Sequence, residues 1–311
     1  MTGVLPARTR APAKVNLGLF LGPTRAQDAR HELVTVMQSI SLADELTLER
    51  APAGVEHDEV VCPGVPGAPG ENLAARALAA FRAATGWDAP PLRLKIVKRI
   101  PVAAGLGGGS ADAAGALRLA RHASRRGDDD ALLRELGAAL GADVPAQIAP
   151  GRWLAGGAGE LLEALPDPNP ASFGLLVLPA AGGLSTAAVY AEADRLGLGR
   201  STETLEQRRS ALRRALELSA AVPAVRELLE NDLAPAAISL CPEIAAVLSQ
   251  ARDAGAEIAL VSGSGPTVLG LFPHANGLGR AERAAAGLQD RAPVPICATP
   301  VDAAFARVTS A

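Results

Sequence analysis

The chain has 311 residues, 49% hydrophobic and 20% charged, which is long enough for two domains that each bury a core. A net charge of -3, no basic block and only 3% aromatic residues argue against nucleic acid as the main partner and predict few stacking sites. Cys62, Cys241 and Cys297 are scattered and form no Cys-x-x-Cys pair, so neither a disulfide framework nor a zinc site is expected, and a reducing cytoplasm fits best.

Arg8 and Arg10 precede an apolar stretch that Lys14 and Asn16 interrupt, so no secretory signal is expected, and no segment predicts a membrane span. Alternation predicts strands over 15–21, 33–40 and 44–48. A Pro/Gly-rich loop at 60–71 leads to a helix over 72–84 with Leu73, Ala77, Leu78 and Phe81 on one side, then to a strand over 92–100. Helices follow at 113–120 and 131–140, separated by a charged turn at 125–130. Pro166, Pro168 and Pro170 interrupt every periodic pattern, so the domains are expected to span 1–166 and 167–311. Beyond them the pattern predicts a buried strand over 174–178, helices over 185–196, 202–229 and 242–254, and a hairpin-like strand pair over 257–261 and 268–272. Two α+β domains account for this order.

The segment Pro101-Val102-Ala103-Ala104-Gly105-Leu106-Gly107-Gly108-Gly109-Ser110-Ala111 joins a strand to a helix through four glycines. Glycines let backbone N–H groups turn toward an anion without a Cβ in the way, and Ser110 suits the N-cap of a helix whose dipole favours negative charge. The segment therefore reads as a phosphate cradle. It lacks the lysine of a Walker loop, and Ser110 stands where the dinucleotide spacing needs glycine. A flexible turn would seldom need four glycines directly ahead of a helix.

Only three lysines occur, at 14, 95 and 98. Lys14 lies among apolar residues at the start of a strand, where an ammonium is costly unless it faces an anion, although an edge-strand lysine that discourages aggregation has the same pattern. Asp143 sits in a Gly-Ala-Asp-Val-Pro turn, where it could accept a proton from a substrate hydroxyl or simply close an Asx-turn. His31 stands at a loop-to-strand transition, and the 262–267 loop, Ser-Gly-Ser-Gly-Pro-Thr, is either a second anion cradle or a plain hairpin turn.

In combination and order these segments resemble the GHMP kinase superfamily, and within it the branch that acts on a cytidine diphosphate-linked methylerythritol. The features that carry the resemblance are Pro-Ala-Lys-Val-Asn-Leu at 12–17, His-Glu-Leu at 31–33 with a following Gln38, the glycine loop within 101–114, Leu-Gly-Ala-Asp-Val-Pro at 140–145, the segment 157–160, Asn-Asp-Leu at 231–233 and the 262–267 loop. The resemblance implies an N-terminal domain like ribosomal protein S5 domain 2 and a ferredoxin-like C-terminal domain, with the active site between them. It implies ATP and Mg²⁺ as cofactors, Lys14 and Asp143 as the catalytic pair, Pro101 through Ala111 around the ATP phosphates, and Asn16, Arg30 and His31 on the substrate side. No residue is expected to form a dedicated metal site. The partner is a small molecule, with neither nucleic acid nor membrane, and the chain is expected to be a monomer or homodimer. Arg30 occupies the place of a tyrosine that usually stacks on cytosine, and a guanidinium plane can do the same. Another small-molecule kinase of the superfamily, acting on homoserine or mevalonate, is the alternative, as is a non-catalytic nucleotide-binding module.

Overall fold

The computed structural model describes residues 5–65, 69–127, 130–180, 182–218 and 226–310, so parts of the 60–71 loop, the 125–130 turn and the 202–229 helix lie outside the described residues. Strands β1 (Ala7–Thr24) and β2 (His31–Arg50) form one long antiparallel pair where the sequence suggested three short strands. The polar residues read as turns mark changes of partner instead. Residues 35–38 of β2 pair with β5 (Arg152–Gly156), and residues 45–50 pair with β4 (Leu92–Val97). Two strands not foreseen, β5 and β6 (Leu161–Leu165), extend the sheet on that side, while β3 (Glu59–Val61) lies parallel to β4 on the other.

Helices α1 (Leu73–Thr85), α2 (Gly108–Ser124), α3 (Asp130–Leu140) and α4 (Val144–Ile148) pack together beside this sheet. Helix α2 is buried along nearly its whole length, which explains its run of alanines: only small side chains let a helix press this close to a sheet. At Gly115 a Cβ would lie 2.8 Å from Leu46 Cδ2 and 3.6 Å from Ala11 Cβ. The depth of α2 against the sheet is therefore fixed, and with it the height of the glycine loop at its N-terminus.

The second sheet contains β7 (Phe173–Leu178), β8 (Ile258–Val261), β9 (Val268–Pro273) and β10 (Ile296–Ala298) in the order β10-β7-β9-β8, all antiparallel. Helices α5 (Thr186–Leu196), α6 (Thr202–Leu218), α7 (Ala234–Leu240) and α8 (Glu243–Asp253) separate its first two strands, and α9 (Gly277–Ala286) separates its last two. That order and spacing is a ferredoxin-like β-α-β-β-α-β unit with extra helices in the first crossover. The proposed division at 166 follows β6 and precedes β7, but the chain end crosses back, because β11 (Thr309–Ser310) pairs with β1. Ser41 N–H also donates to Thr299 C=O at 2.8 Å, and Val301 N–H to Ser39 C=O at 3.0 Å.

Because the space at Gly115 is already filled, Gly115→Val is expected to lower unfolding stability by about 1–3 kcal/mol through overpacking against Leu46. Urea unfolding checks this, and an unchanged midpoint would contradict it.

Candidate active site

The glycine loop reaches its helix through left-handed residues, Ala103 at φ 59°, Gly105 at 72° and Gly107 at 69°. Gly107, not Ser110, is the N-cap of α2, and it caps by backbone conformation without a side-chain bond. Ser110 accordingly lies inside the first helical turn. Two of the glycines are required by close approaches. A Cβ on Gly105 would stand 2.9 Å from Gly265 C=O of the second domain, and one on Gly107 would stand 2.9 Å from Lys14 Cγ. The loop is held from both domains: Lys14 N–H donates to Leu106 C=O at 3.0 Å, and the Thr267 hydroxyl donates to Ala104 C=O at 2.6 Å.

Two clefts open on either side of the loop. One, of about 560 Å³, is lined by Val60, Cys62, Asn72, Leu73, Lys98, Asp112 and the loop from Pro101 to Ser110, which includes Val102 and Gly109. The other, of about 800 Å³, is lined by Lys14, Asn16, Arg30, His31, Asp143, Thr186, Tyr190, Asp194 and Ser264 among others. Gly105, Gly107 and Ser110 border both, so the loop is the partition. Ala111 is buried beneath the first turn and lines neither cleft, which departs from the expectation that it would touch phosphate.

At the junction the Lys14 ammonium lies 3.3 Å from Asp143 Oδ2 and donates to Asn16 Oδ1 at 2.9 Å. The pairing of β1 with β2 shifts register between Pro12 and Lys14 and again between Asn16 and Gly18, so both polar side chains leave the regular alternation of the strand. Asn16 is fixed further by its amide, which donates to Thr35 Oγ1 at 2.8 Å, and by its backbone N–H, which donates to Ser262 Oγ at 3.2 Å. Asp143 is the N-cap residue of α4, yet its side chain makes no capping bond. The Asx-turn alternative is therefore not what this carboxylate does; it faces the lysine.

At the far end of the larger cleft His31 Nδ1 lies 3.1 Å from Gly22 C=O and Nε2 lies 3.0 Å from Asp194 Oδ1. The ring of Tyr190 stands 5.5 Å from that of His31, tilted by 37°. Burial, and then the charge of Asp143, push the Tyr190 phenol up, with Arg30 opposing them. Arg30 lines the cleft, and its guanidinium donates to Ala158 C=O at 2.7 Å, which ties it to the neighbouring turn. Tyr190, with Asp194 and Thr186, was not singled out from sequence. The available signal was that Tyr190 is the chain's sole tyrosine and sits at helical spacing between a threonine and an aspartate.

Below the smaller cleft a charge cluster holds the base of the loop. Lys98 donates to Asp44 and to Asp112, the latter at 2.8 Å, while Asp44 Oδ1 accepts Arg99 N–H at 2.6 Å and Ile100 N–H at 2.9 Å. Burial works against the Lys98 charge, but Asp112 and Asp44 outweigh it and raise that pKa. Burial pushes the Asp112 carboxyl up to about 7, Lys98 opposes the rise and Asp44 adds to it.

Comparison with known proteins agrees with this architecture. Residues 72–151 match the GHMP kinases N terminal domain and residues 202–293 the GHMP kinases C terminal domain. The 4-diphosphocytidyl-2-C-methyl-D-erythritol kinase of Streptomyces coelicolor is 43% identical over 263 residues, covering 83% of this chain and 85% of that protein. A solved 4-(cytidine 5'-diphospho)-2C-methyl-D-erythritol kinase aligns with a TM-score of 0.75 at 32% identity, over 94% of this chain and 98% of its own. The homoserine kinase of Cytophaga hutchinsonii aligns with a TM-score of 0.71 at 16% identity, over 98% and 97%, and so shares the fold.

The raised Asp112 carboxyl retains its proton in the folded chain above the unfolded value of roughly 3.9, so its contribution to stability is lost as pH rises through about 7. Asp112→Asn is expected to gain in melting temperature relative to the wild type as pH goes from about 5 to 8. A difference that stays flat over that range would contradict the assignment.

Proposed function

The chain belongs to the GHMP kinases, and we propose that it transfers the γ-phosphoryl group of ATP to the 2-hydroxyl of 4-diphosphocytidyl-2-C-methyl-D-erythritol, a step toward isoprenoid precursors. The observation that carries the reading is the meeting of two clefts at one glycine loop, with Lys14 and Asp143 paired at the junction. A phosphoryl group passing between the clefts crosses that point. The relatives named for this substrate supply its identity.

Asp143 takes the proton of the attacking hydroxyl. Its side chain makes no capping bond, which leaves it directed toward Lys14 and the larger cleft. Lys14 lowers the electrostatic cost of charge developing beside it, and Asn16 holds the ammonium in place. The first turn of α2 leaves the N–H groups of Gly108, Gly109 and Ser110 without intrahelical partners, so they and the helix dipole suit the β- and γ-phosphates. Val60 and Leu73 offer apolar walls to the adenine end, and Tyr190 beside His31 receives the cytosine end. Catalysis of this kind rests on positioning and electrostatics.

Among the described residues no group of three or more His, Cys, Asp or Glu side chains could hold a metal by itself. A magnesium ion fits here only as one carried mainly by the nucleotide phosphates, with Ser110, which borders both clefts, as its protein contact; it would spread the phosphate charge.

A coupled ADP-release assay across the cytidine-linked methylerythritol, mevalonate and homoserine tests the substrate. Turnover confined to the first is expected, and turnover of either of the others in its place would move the chain to another branch of the family. Asp143→Asn is expected to lower turnover by roughly 10²–10⁴-fold with folding and ATP binding retained. Turnover within a few-fold of wild type would reject Asp143 as the base.

A further inference from the structure

Helix α5 presents Thr186, Tyr190 and Asp194 to the larger cleft at intervals of four residues, one face of the helix. Thr186 Oγ1 lies 3.0 Å from Ser264 Oγ, Tyr190 stands beside the His31 ring, and Asp194 reaches the Nε2 edge of the same imidazole. Asp194 is an exposed carboxylate, its side chain 59% accessible, whereas the His31 side chain is 9% accessible. A carboxylate oxygen only accepts, so Nε2 serves as the donor in the His31 contact with Asp194 Oδ1. The end of the cleft thus offers a donor, Nε2–H, and an acceptor, the Asp194 carboxylate, 3.0 Å apart beside a flat aromatic ring.

We propose that Asp194 is a specificity-determining residue that, with His31, reads cytosine against uracil; the proposal rests on the cytidine substrate argued above. Cytosine carries an acceptor, N3, next to a donor, its exocyclic amino group, and this edge matches the His31 N–H beside the Asp194 carboxylate. Uracil reverses both groups. Its O4 would face the carboxylate, and its N3–H would face another N–H, so each contact is lost and like partial charges meet. In the free protein the two side chains bond to each other and occupy the groups that the base would use, which keeps both hydrogen-bonded when the site is open.

The test titrates cytidine diphosphate and uridine diphosphate into the full chain by calorimetry, with the nucleotide cleft filled by a non-hydrolysable ATP analogue. The wild type is expected to prefer the cytidine compound. Asp194→Ala should weaken that compound by roughly 10–100-fold and bring the two within a few-fold of each other. Asp194→Asn, nearly identical in shape, should also lose the preference, because its amide can turn an N–H toward O4 of uracil. A preference unchanged in both variants, or absent from the wild type, would overturn the proposal and leave Asp194 as a tie between the domains. Loss of preference in the variants of a protein that fails to phosphorylate the cytidine-linked methylerythritol would sustain the base reading and reject the proposed reaction instead.

Discussion

The site depends on one close contact, that of the Gly107 backbone with the aliphatic chain of Lys14. With no Cβ on Gly107, the N-terminus of α2 descends onto β1 until Lys14 N–H bonds to Leu106 C=O. That places the first helical turn, with its free N–H groups, beside an ammonium that also faces Asp143. An ammonium this enclosed, its side chain 12% accessible, is sustained by the oxygens of Asn16 and Asp143 around it. The proposed phosphate cradle and the proposed catalytic pair are thereby parts of one packing arrangement.

The second domain completes it from the other side. The Asn231 amide donates to Val261 C=O and Gly263 C=O, both at 2.7 Å, and so shapes the 262–267 loop. From that loop Ser262 accepts the Asn16 backbone N–H, and Thr267 reaches Ala104 in the glycine loop. Gly105 lets the two loops approach by lacking a side chain where Gly265 C=O passes. Arg200 adds a further tie, bonding Asp232 at 2.6 Å while Asp232 accepts Leu21 N–H of β1 at 2.9 Å. A motion that separates the domains would therefore loosen the glycine loop and Asn16 together, which couples substrate positioning to the nucleotide side.

How much of this was legible in the sequence follows from the range of each interaction. The glycine loop, Lys14 and Asp143 were visible because each breaks a local rule: four glycines before a helix, an ammonium in an apolar strand, a carboxylate in a tight turn. The ferredoxin-like order of the second sheet was implied by family resemblance, since periodicity finds strands but not their pairing. The N-cap was misplaced by three residues because Gly107 caps through a left-handed backbone that leaves no side-chain signature. Tyr190 and Asp194 were missed for a different reason. Their place in the cleft arises from a meeting with His31 across more than 150 residues of chain, and no local pattern encodes that contact. The bond from Arg30 to the Ala158 carbonyl is likewise remote in the chain and likewise without a local signal.

Lys14 and Asp143 are proposed to act as a single unit at the junction of the clefts. A double-mutant cycle on turnover, with Lys14→Met, Asp143→Asn and the pair together, measures this most directly. The double variant is expected to lose about as much as the more damaging single change, because either substitution already disables the unit. Losses that multiply would show two independent contributions and would contradict it.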